Sequence, residues 1–326
     1  MTTIMGVEST AHTFGIGIVK NGKVLTNIRS AYTTDKGGII PMDSARHHEE
    51  NKYRVYEEAL KQSGIKEKDI DAIAFSQGPG LALCLLVGMK FTKEIAEKLK
   101  IPVVPVNHCI AHLEIGNTTG AKDPVMLYAS GANTQIIAYA SGKYRIFGET
   151  LDVGVGNFID SFARYAGIGF PGGPKVQEMA TQGKKFIELP YKAKGMDVAF
   201  SGMLTNLRQK LESGKYSVND LAYSLQEVVF SMLVETSERA LAHTGKKELL
   251  LGGGVACNTR LQAMCRIMCK ERGAKFFVPS NDLLQDNGSM IAFLGEIMFK
   301  SGIKEKPEKI DIKPRQRTDE VEVRWK

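Results

Sequence analysis

Residues 3–29, TIMGVESTAHTFGIGIVKNGKVLTNIR, and residues 125–147, VMLYASGANTQIIAYASGKYRIF, are written on one plan. In the first, an apolar run (Thr3–Val7) is followed by an alternating run (Thr13–Val19), a Lys20-Asn21-Gly22-Lys23 turn and a returning run (Val24–Arg29). In the second, Val125–Ala129, Gln135–Ala140, a Ser141-Gly142 turn and Tyr144–Phe147 repeat that order. Short runs of this kind joined by Gly-containing turns predict two three-strand meanders. The first turn of each carries small and hydroxyl residues, Glu8-Ser9-Thr10 and Ser130-Gly131-Ala132.

The two meanders are followed by similar material. After the first, Gly37-Gly38 marks a loop, Asp43 to Ser63 has helical spacing, and Ala72–Phe75 reads as a strand. Gly78-Pro79-Gly80 turns into a helix to about Leu99, Pro102–Val106 is a strand, and Asn107 can cap a helix from His108 to about Ile115. After the second, helices are expected at about 155–167, 174–182 and 217–244, around a polar, Gly-rich insertion at about 183–213. Glu248–Leu251 is a strand, Gly252-Gly253-Gly254 leads to a helix from about Asn258 to Arg272, Phe276–Val278 is a strand, and a last helix starts near Gly288. Interleaved strands and helices in a repeated order predict an α/β fold of two related halves, 1–123 and 124–326. The cleft between them is where a ligand is expected.

Bulk properties narrow the class. The chain has 326 residues, 43 Lys plus Arg against 36 Asp plus Glu, and a net charge of +7. With 43% hydrophobic and 24% charged residues, disordered, collagen-like and low-complexity classes are excluded. The small basic excess permits an anionic partner such as RNA without demonstrating one. Five Cys with no CxxC argue against a disulfide framework or a Cys-rich zinc site and fit a reducing cytoplasm. The first residues lack the pattern of a signal peptide. Uncharged stretches at Ala72–Met89 and Pro124–Gly142 are interrupted by Gly78-Pro79-Gly80 and by Ser130, Asn133, Thr134 and Gln135, so no transmembrane helix is expected.

The sharpest local signal is His108-x-x-x-His112. Residues four apart share a helix face, so both imidazoles can reach one metal. Cys109 stands where a zinc protease of the H-E-x-x-H type has its general base. Asp286, Asp282 and Tyr128 are candidates for a further ligand, and an oxygen donor beside two imidazoles suits iron or zinc. The plainer reading is a packing pair at a helix start.

Three Gly-rich loops follow strands: Gly6–Thr10, Ser130–Thr134 and Gly252–Gly254. Neither a P-loop nor a GxGxxG fingerprint is present. Each loop alone reads as a turn, but three in a duplicated chain suggest a nucleotide clamp. Asp160 can bond ribose hydroxyls, and Gly172-Gly173 can admit a flat base. His47-His48 is read as a helix face near the cleft, with a second metal or phosphate site as the sharper option, and Cys265/Cys269 as packing. The Lys304–Arg317 tail is read as solvated, with an RNA contact as the sharper option.

At these residues the chain resembles the universal threonylcarbamoyl-transferase family of tRNA modification (TsaD type), once labelled O-sialoglycoprotein endopeptidases, and within it the archaeal and eukaryotic branch, the catalytic subunit of the KEOPS complex. The matching stretches include GVESTAHTFGIGIV, KGGIIP with ARHH, FSQGPGL, VNHCIAH, YASGANTQ, GETLDVGVGNFIDSFAR, GFPGGPKV, ELPYKAKGMDVAFSG, LGGGVACNTRL, DNGSMIA and the tail RTDEVEVRW. The resemblance implies the actin, hexokinase and heat-shock-chaperone fold. It implies a divalent metal, iron or else zinc, held by His108, His112 and Asp286 with Tyr128 near or on it. It implies an adenine nucleotide, threonylcarbamoyl-AMP or ATP, with the phosphate and acyl part along Tyr128, Ala129, Ser130, Gly131 and Ala132. Adenosine would touch Asp160, Gly173 and Asn258, with Gln177 at the ribose. Ala132, Gln177 and Cys257 stand where the family usually has Gly, Glu, and Ala or Ser.

The implied activity is transfer of the threonylcarbamoyl group to the tRNA adenosine 3′ of the anticodon in tRNAs reading ANN codons, with release of AMP. Glu8, in the first loop, is a candidate for proton handling or substrate orientation. The implied partners are tRNA, an atypical serine/threonine kinase, a small dimerising subunit and a further small subunit, in the cytoplasm and with no membrane. Rival readings are an ATP-dependent kinase, a nucleotide-dependent assembly protein of the same fold, and a metalloprotease. The kinase expects a catalytic Asp in its first loop, where this chain has Glu8. The assembly protein gives no reason for a metal triad, and the protease lacks its Glu.

Overall fold

The computed structural model describes residues 1–35 and 38–326. Lys36 and Gly37 lie outside the described residues, and with Gly37 the first half of the expected Gly37-Gly38 loop. The first meander is β1 (Thr3–Glu8), β2 (Thr13–Lys20) and β3 (Lys23–Ala31). Next come α1 (Pro41–Ser63), β4 (Ala72–Gly78), α2 (Ala82–Leu99), β5 (Val103–Asn107) and α3 (His108–Glu114). The second meander is β6 (Val125–Ala129), β7 (Thr134–Ala140) and β8 (Lys143–Glu149). It is followed by α4 (Val155–Tyr165), α5 (Gly173–Gln182), the small strands β9 (Ala193–Lys194) and β10 (Asp197–Val198), α6 (Ser201–Glu212) and α7 (Val218–Thr244). The rest is β11 (Glu248–Gly252), α8 (Thr259–Glu271), β12 (Lys275–Phe277), α9 (Asn281–Leu284) and α10 (Gly288–Lys300).

The expected duplication is present. One five-stranded sheet has the order β3-β2-β1-β4-β5, and the other, read from its far edge, has β8-β7-β6-β11-β12. In both, the meander is antiparallel and the next two strands add in parallel. Parallel β1, β4 and β5 end at Glu8, Gly78 and Asn107, and parallel β6 and β11 end at Ala129 and Gly252. Ligands bind at such carboxyl ends. A shared core joins the halves, with Ile4, Ala72 and Val106 of the first sheet, Met126 and Leu250 of the second, and Met290 and Leu294 of α10.

Helix α10 sits so close to the first sheet that side chains would not fit between them. A Cβ at Gly6 would lie 2.2 Å from the Gly288 carbonyl, and one at Gly17 would lie 2.2 Å from the Ser289 nitrogen. Asn287 starts this helix by accepting from the Met290 N–H at 3.0 Å. This contact carries the preceding residue, Asp286, up to the first half.

Two expectations change. The region 183–213 is not only an insertion of polar loop, because it contains the β9–β10 hairpin and the 12-residue helix α6. Phe200, Met203 and Leu207 bury α6, but Gly202 and the surrounding polar residues mask their helical spacing. The tail is not a free solvated chain either. Val103 and Glu305 exchange backbone hydrogen bonds at 2.9 and 2.8 Å, and Ile310 and Thr318 are 3% and 1% exposed. Its basic side chains remain outside while its backbone is anchored. Among the described residues, no helix is long and apolar enough to cross a membrane.

Candidate metal centre and adjoining loops

Helix α3 makes the centre possible. Its first residue is His108, so His112 follows one turn later on the same face. Asn107 ends β5 and caps the helix, accepting from the Ile110 N–H at 3.1 Å. The His108 and His112 rings are 4.8 Å apart and nearly perpendicular. Asp286 arrives from the loop before α10, and its Oδ1 lies 3.4 Å from His108 Nε2 and 3.3 Å from His112 Nε2. One donor atom from each of the three residues falls within 4.8 Å of the others.

Glu8, at the end of β1, is fully buried behind the group. Its Oε2 lies 3.0 Å from His108 Nδ1, and its Oε1 accepts from the Thr10 N–H at 2.7 Å and the Thr10 hydroxyl at 2.5 Å. A carboxylate bonded to one imidazole nitrogen sets the tautomer that leaves the other free as a ligand. Tyr128, 1% exposed, stacks obliquely with its ring 5.1 Å from that of His112.

Electrostatics suit a cation. Burial alone would lower the pKa of His108, but the Glu8 and Asp286 carboxylates raise it well above the usual range. Burial lowers that of His112, with His108 adding repulsion, despite the opposing pull of Asp286. Asp286 is held well below the carboxylate range by the two histidines, which outweigh its burial. Burial raises Tyr128 well above its ordinary range, helped by Cys109 and Asp286. A neutral imidazole, a second imidazole between two carboxylates and an ionised carboxylate make a two-His, one-carboxylate donor set that fits a divalent first-row metal.

The Gly-rich loops border this group. A Cβ at Gly253 would lie 2.4 Å from the Ala129 carbonyl, so the third loop rests directly on the second. The Ser130 and Gly131 carbonyls accept from the Gly156 and Asn157 N–H groups at 3.0 and 2.9 Å, seating the loop on the start of α4. Gly131 and Ala132 are exposed. Asp160 accepts from the Gly172 N–H at 2.8 Å, and burial raises its pKa although this bond lowers it. Gly173 opens α5, and four residues on, Gln177 donates to Thr259 at 3.3 Å. Asn258 caps α8 and donates to Gln226 at 3.0 Å. Asp160, Gly173, Gln177 and Asn258 thus follow one another along α4, α5 and α8.

Other sequence candidates stand apart. Asp282 is not in the donor group, and its carbonyl accepts from Asn27 at 3.0 Å. His48 is fully buried on α1 with its ring 5.7 Å from Phe14, while His47 is bonded to Ser30 at 2.9 Å. Cys265 and Cys269 are buried in the apolar core of the second half, with Leu249 and Leu261. Two features escaped the sequence reading. Thr10 links Glu8 to the His108 side of the centre, its hydroxyl 3.4 Å from Nδ1. Arg29 on β3 has a buried Nη1 with no acceptor among the described residues, and its charge is felt by Cys257 of the other half. The first Gly-rich loop marks Thr10 without giving this role, and no local pattern points to Arg29.

A family model described as "TsaD: tRNA N6-adenosine threonylcarbamoyltransferase" matches residues 23–293. A tRNA N6-adenosine threonylcarbamoyltransferase of Thermococcus kodakarensis is 54% identical over 321 residues, 98% of this chain and 99% of the relative. A probable bifunctional tRNA threonylcarbamoyladenosine biosynthesis protein of Methanosarcina mazei is 49% identical over 99% of this chain and 60% of its own length. Among solved structures, T. kodakarensis HypF superposes with TM-score 0.64 at 16% identity, covering 94% of this chain and 49% of that one. The activator of 2-hydroxyisocaproyl-CoA dehydratase from Clostridium difficile, with bound ADPNP, superposes with TM-score 0.55 at 12% identity, covering 93% and 99%. The last two show the fold alone, the duplicated architecture shared with actin and hexokinase.

Proposed function

Because the chain belongs to the TsaD family of tRNA N6-adenosine threonylcarbamoyltransferases, we propose that its cleft joins threonylcarbamoyl-AMP to a tRNA adenosine at the His108–His112–Asp286 centre. The protein is a transferase that acts on tRNA. The acceptor is the adenosine 3′ of the anticodon in tRNAs reading ANN codons. Its N6 amine forms a bond to the carbamoyl carbon, the bond from that carbon to the phosphate oxygen breaks, AMP leaves with the electron pair, and an N6 proton is released.

The observation that carries this reading is the convergence of His108, His112 and Asp286, with Glu8 behind them, at the carboxyl ends of the parallel strands. These three residues would hold a divalent metal, iron or else zinc, with Tyr128 beside it. When bound, such an ion supplies Lewis-acid charge that orients the threonylcarbamoyl group and polarises its carbonyl. Glu8 acts by holding His108 in the ligand tautomer. The Tyr128–Ala132 segment receives the phosphate and acyl part, with the N–H groups of its exposed Gly131 and Ala132 offered to developing charge. Asp160, Gly173, Gln177 and Asn258 hold the adenosine, with Asp160 oriented by Gly172.

Partners and location follow the family pattern. The probable bifunctional relative of M. mazei is longer than this chain, which supports operation beside a second activity; from the family resemblance we read the partners as KEOPS-type subunits, an atypical serine/threonine kinase, a small dimerising subunit and a further small subunit, in the cytoplasm. The test is a reaction of purified chain, tRNA and threonylcarbamoyl-AMP, with and without those subunits, followed by digestion and mass analysis of the nucleosides. Modified adenosine from the wild type and none from His108→Ala/His112→Ala supports the reading. Full activity in a metal-free double variant overturns it.

A further inference from the structure

We propose that Lys313 and Arg315, on the C-terminal tail, form a phosphate-binding rim for the tRNA strand that delivers its adenosine to the metal centre; this rests on the transferase reading above. The tail crosses the carboxyl ends of β4 and β5 as a strap. Lys313 donates its N–H to the Gln77 carbonyl at 2.7 Å, and Gln77 Nε2 donates to the Asp311 carbonyl at 2.9 Å. The Pro314 carbonyl accepts from the Gly80 N–H at 3.1 Å, and Gln316 accepts from Asn107 Nδ2 at 3.2 Å. Arg315 is therefore clamped on both sides. One clamp is Asn107, which caps α3 immediately before His108. The other is Gly80, whose added Cβ would lie 2.6 Å from the carbonyl of Thr10, the residue that bonds Glu8.

The strap lies so close to Gly78 that a Cβ there would be 1.9 Å from the Lys313 carbonyl. Farther on, Thr318 is buried. The backbone is thus ordered before any partner arrives, which lowers the cost of binding. It also lies where ligands of parallel sheets dock.

The cations of residues 313–326 sort into two groups. Arg317 is paired with Glu149 at 3.2 Å and Asp319 at 3.1 Å, Arg324 with Glu322 at 2.7 Å, and Lys326 with Glu114 at 3.5 Å. Lys313 and Arg315 are exposed and form no ion pair among the described residues. The interactions that fold the strap use the backbone at 313 and 314 and the side chain of Gln316, so the two cations are not needed for packing. Free cations on a rigid rim beside an acceptor site match the polyanionic backbone of the nucleic-acid substrate, whose phosphates supply most non-specific affinity.

The experiment measures binding of labelled tRNA to the full chain by fluorescence anisotropy from 50 to 200 mM salt, together with steady-state transfer kinetics. Lys313→Gln/Arg315→Gln is compared with Lys66→Gln/Lys68→Gln, which removes the same charge from the opposite, amino-terminal end of β4. The strap variant is expected to bind about tenfold more weakly at low salt, with a salt slope shallower by about one for each phosphate no longer neutralised. Its KM for tRNA should rise while kcat and threonylcarbamoyl-AMP affinity stay unchanged. The proposal is overturned by a wild-type Kd and slope in the strap variant, by an equal loss in the control, or by no measurable tRNA binding to the wild type at low salt. Loss of affinity for a partner subunit with tRNA affinity intact also overturns it. Strap-dependent tRNA binding without tRNA modification by the wild type would support the rim and count against the transferase reading alone.

Discussion

The carboxylate of Glu8 and the imidazole of His108, 100 positions apart in the chain, meet at 3.0 Å between Oε2 and Nδ1. This bond determines which His108 nitrogen faces Asp286. It turns a residue at the end of β1 into a positioning residue for a ligand on α3.

Replacement of Glu8 by Gln keeps the shape and removes the charge. Metal affinity should fall by about 10–100-fold, the usual effect of losing a carboxylate behind a ligating histidine. Competition titration against a chromophoric chelator measures this. Unchanged affinity would show that Glu8 does not tune the centre.

Metal removal should also lower stability. A ligand present at 100 times its dissociation constant stabilises the folded state by about 2.7 kcal/mol. Treatment with a strong chelator should therefore lower the Tm of the wild type and leave that of His108→Ala/His112→Ala unmoved. Equal shifts in both proteins would place the bound metal elsewhere.

Gly17→Ala tests the contact between α10 and the first sheet. Its methyl would lie 2.2 Å from the Ser289 nitrogen, so backbone and not a flexible side chain must yield. The expected cost is at least about 1–3 kcal/mol, as for overpacking in general. Because α10 begins two residues after Asp286, metal affinity should fall as well. Urea unfolding and metal titration of the same variant give both numbers.

His48 predicts a pH dependence. Burial, with the neighbouring charges of His47 and His12, lowers its pKa from 6.5 to about 3. Between those values the unfolded chain binds a proton that the folded chain does not. The stabilising contribution is complete above pH 6.5 and is lost as pH falls toward 3, at up to about 1.4 kcal/mol per pH unit. His48→Leu should flatten the stability profile between pH 6 and 4 relative to the wild type. Parallel profiles from urea unfolding would refute the assignment.

Much of the fold was legible because it depends on local periodicity. Alternation and Gly turns marked both meanders, and Asn107, Asn258 and Asn287 could be seen as helix starts because a cap acts within one turn. Helix α6 was hidden because its burial rests on few apolar residues among polar ones. His108 and His112 were legible as a pair for the same local reason, since one helical turn aligns them. The choice of Asp286 over Asp282 was left open by spacing, because both lie in one segment and only the docking of α10 decides which faces the histidines.

The sequence by itself determined the repeated architecture, the paired imidazoles and the family to which they belong, since these rest on periodicities and motifs within short windows. Only the tertiary structure decided that Glu8 backs His108, that Asp286 completes the donor set, and that a tail rich in Lys and Arg is a strap across the strand ends. These contacts join residues 100, 174 and more than 200 positions apart. Their partners are chosen by sheet order and close helix packing, which no local pattern encodes.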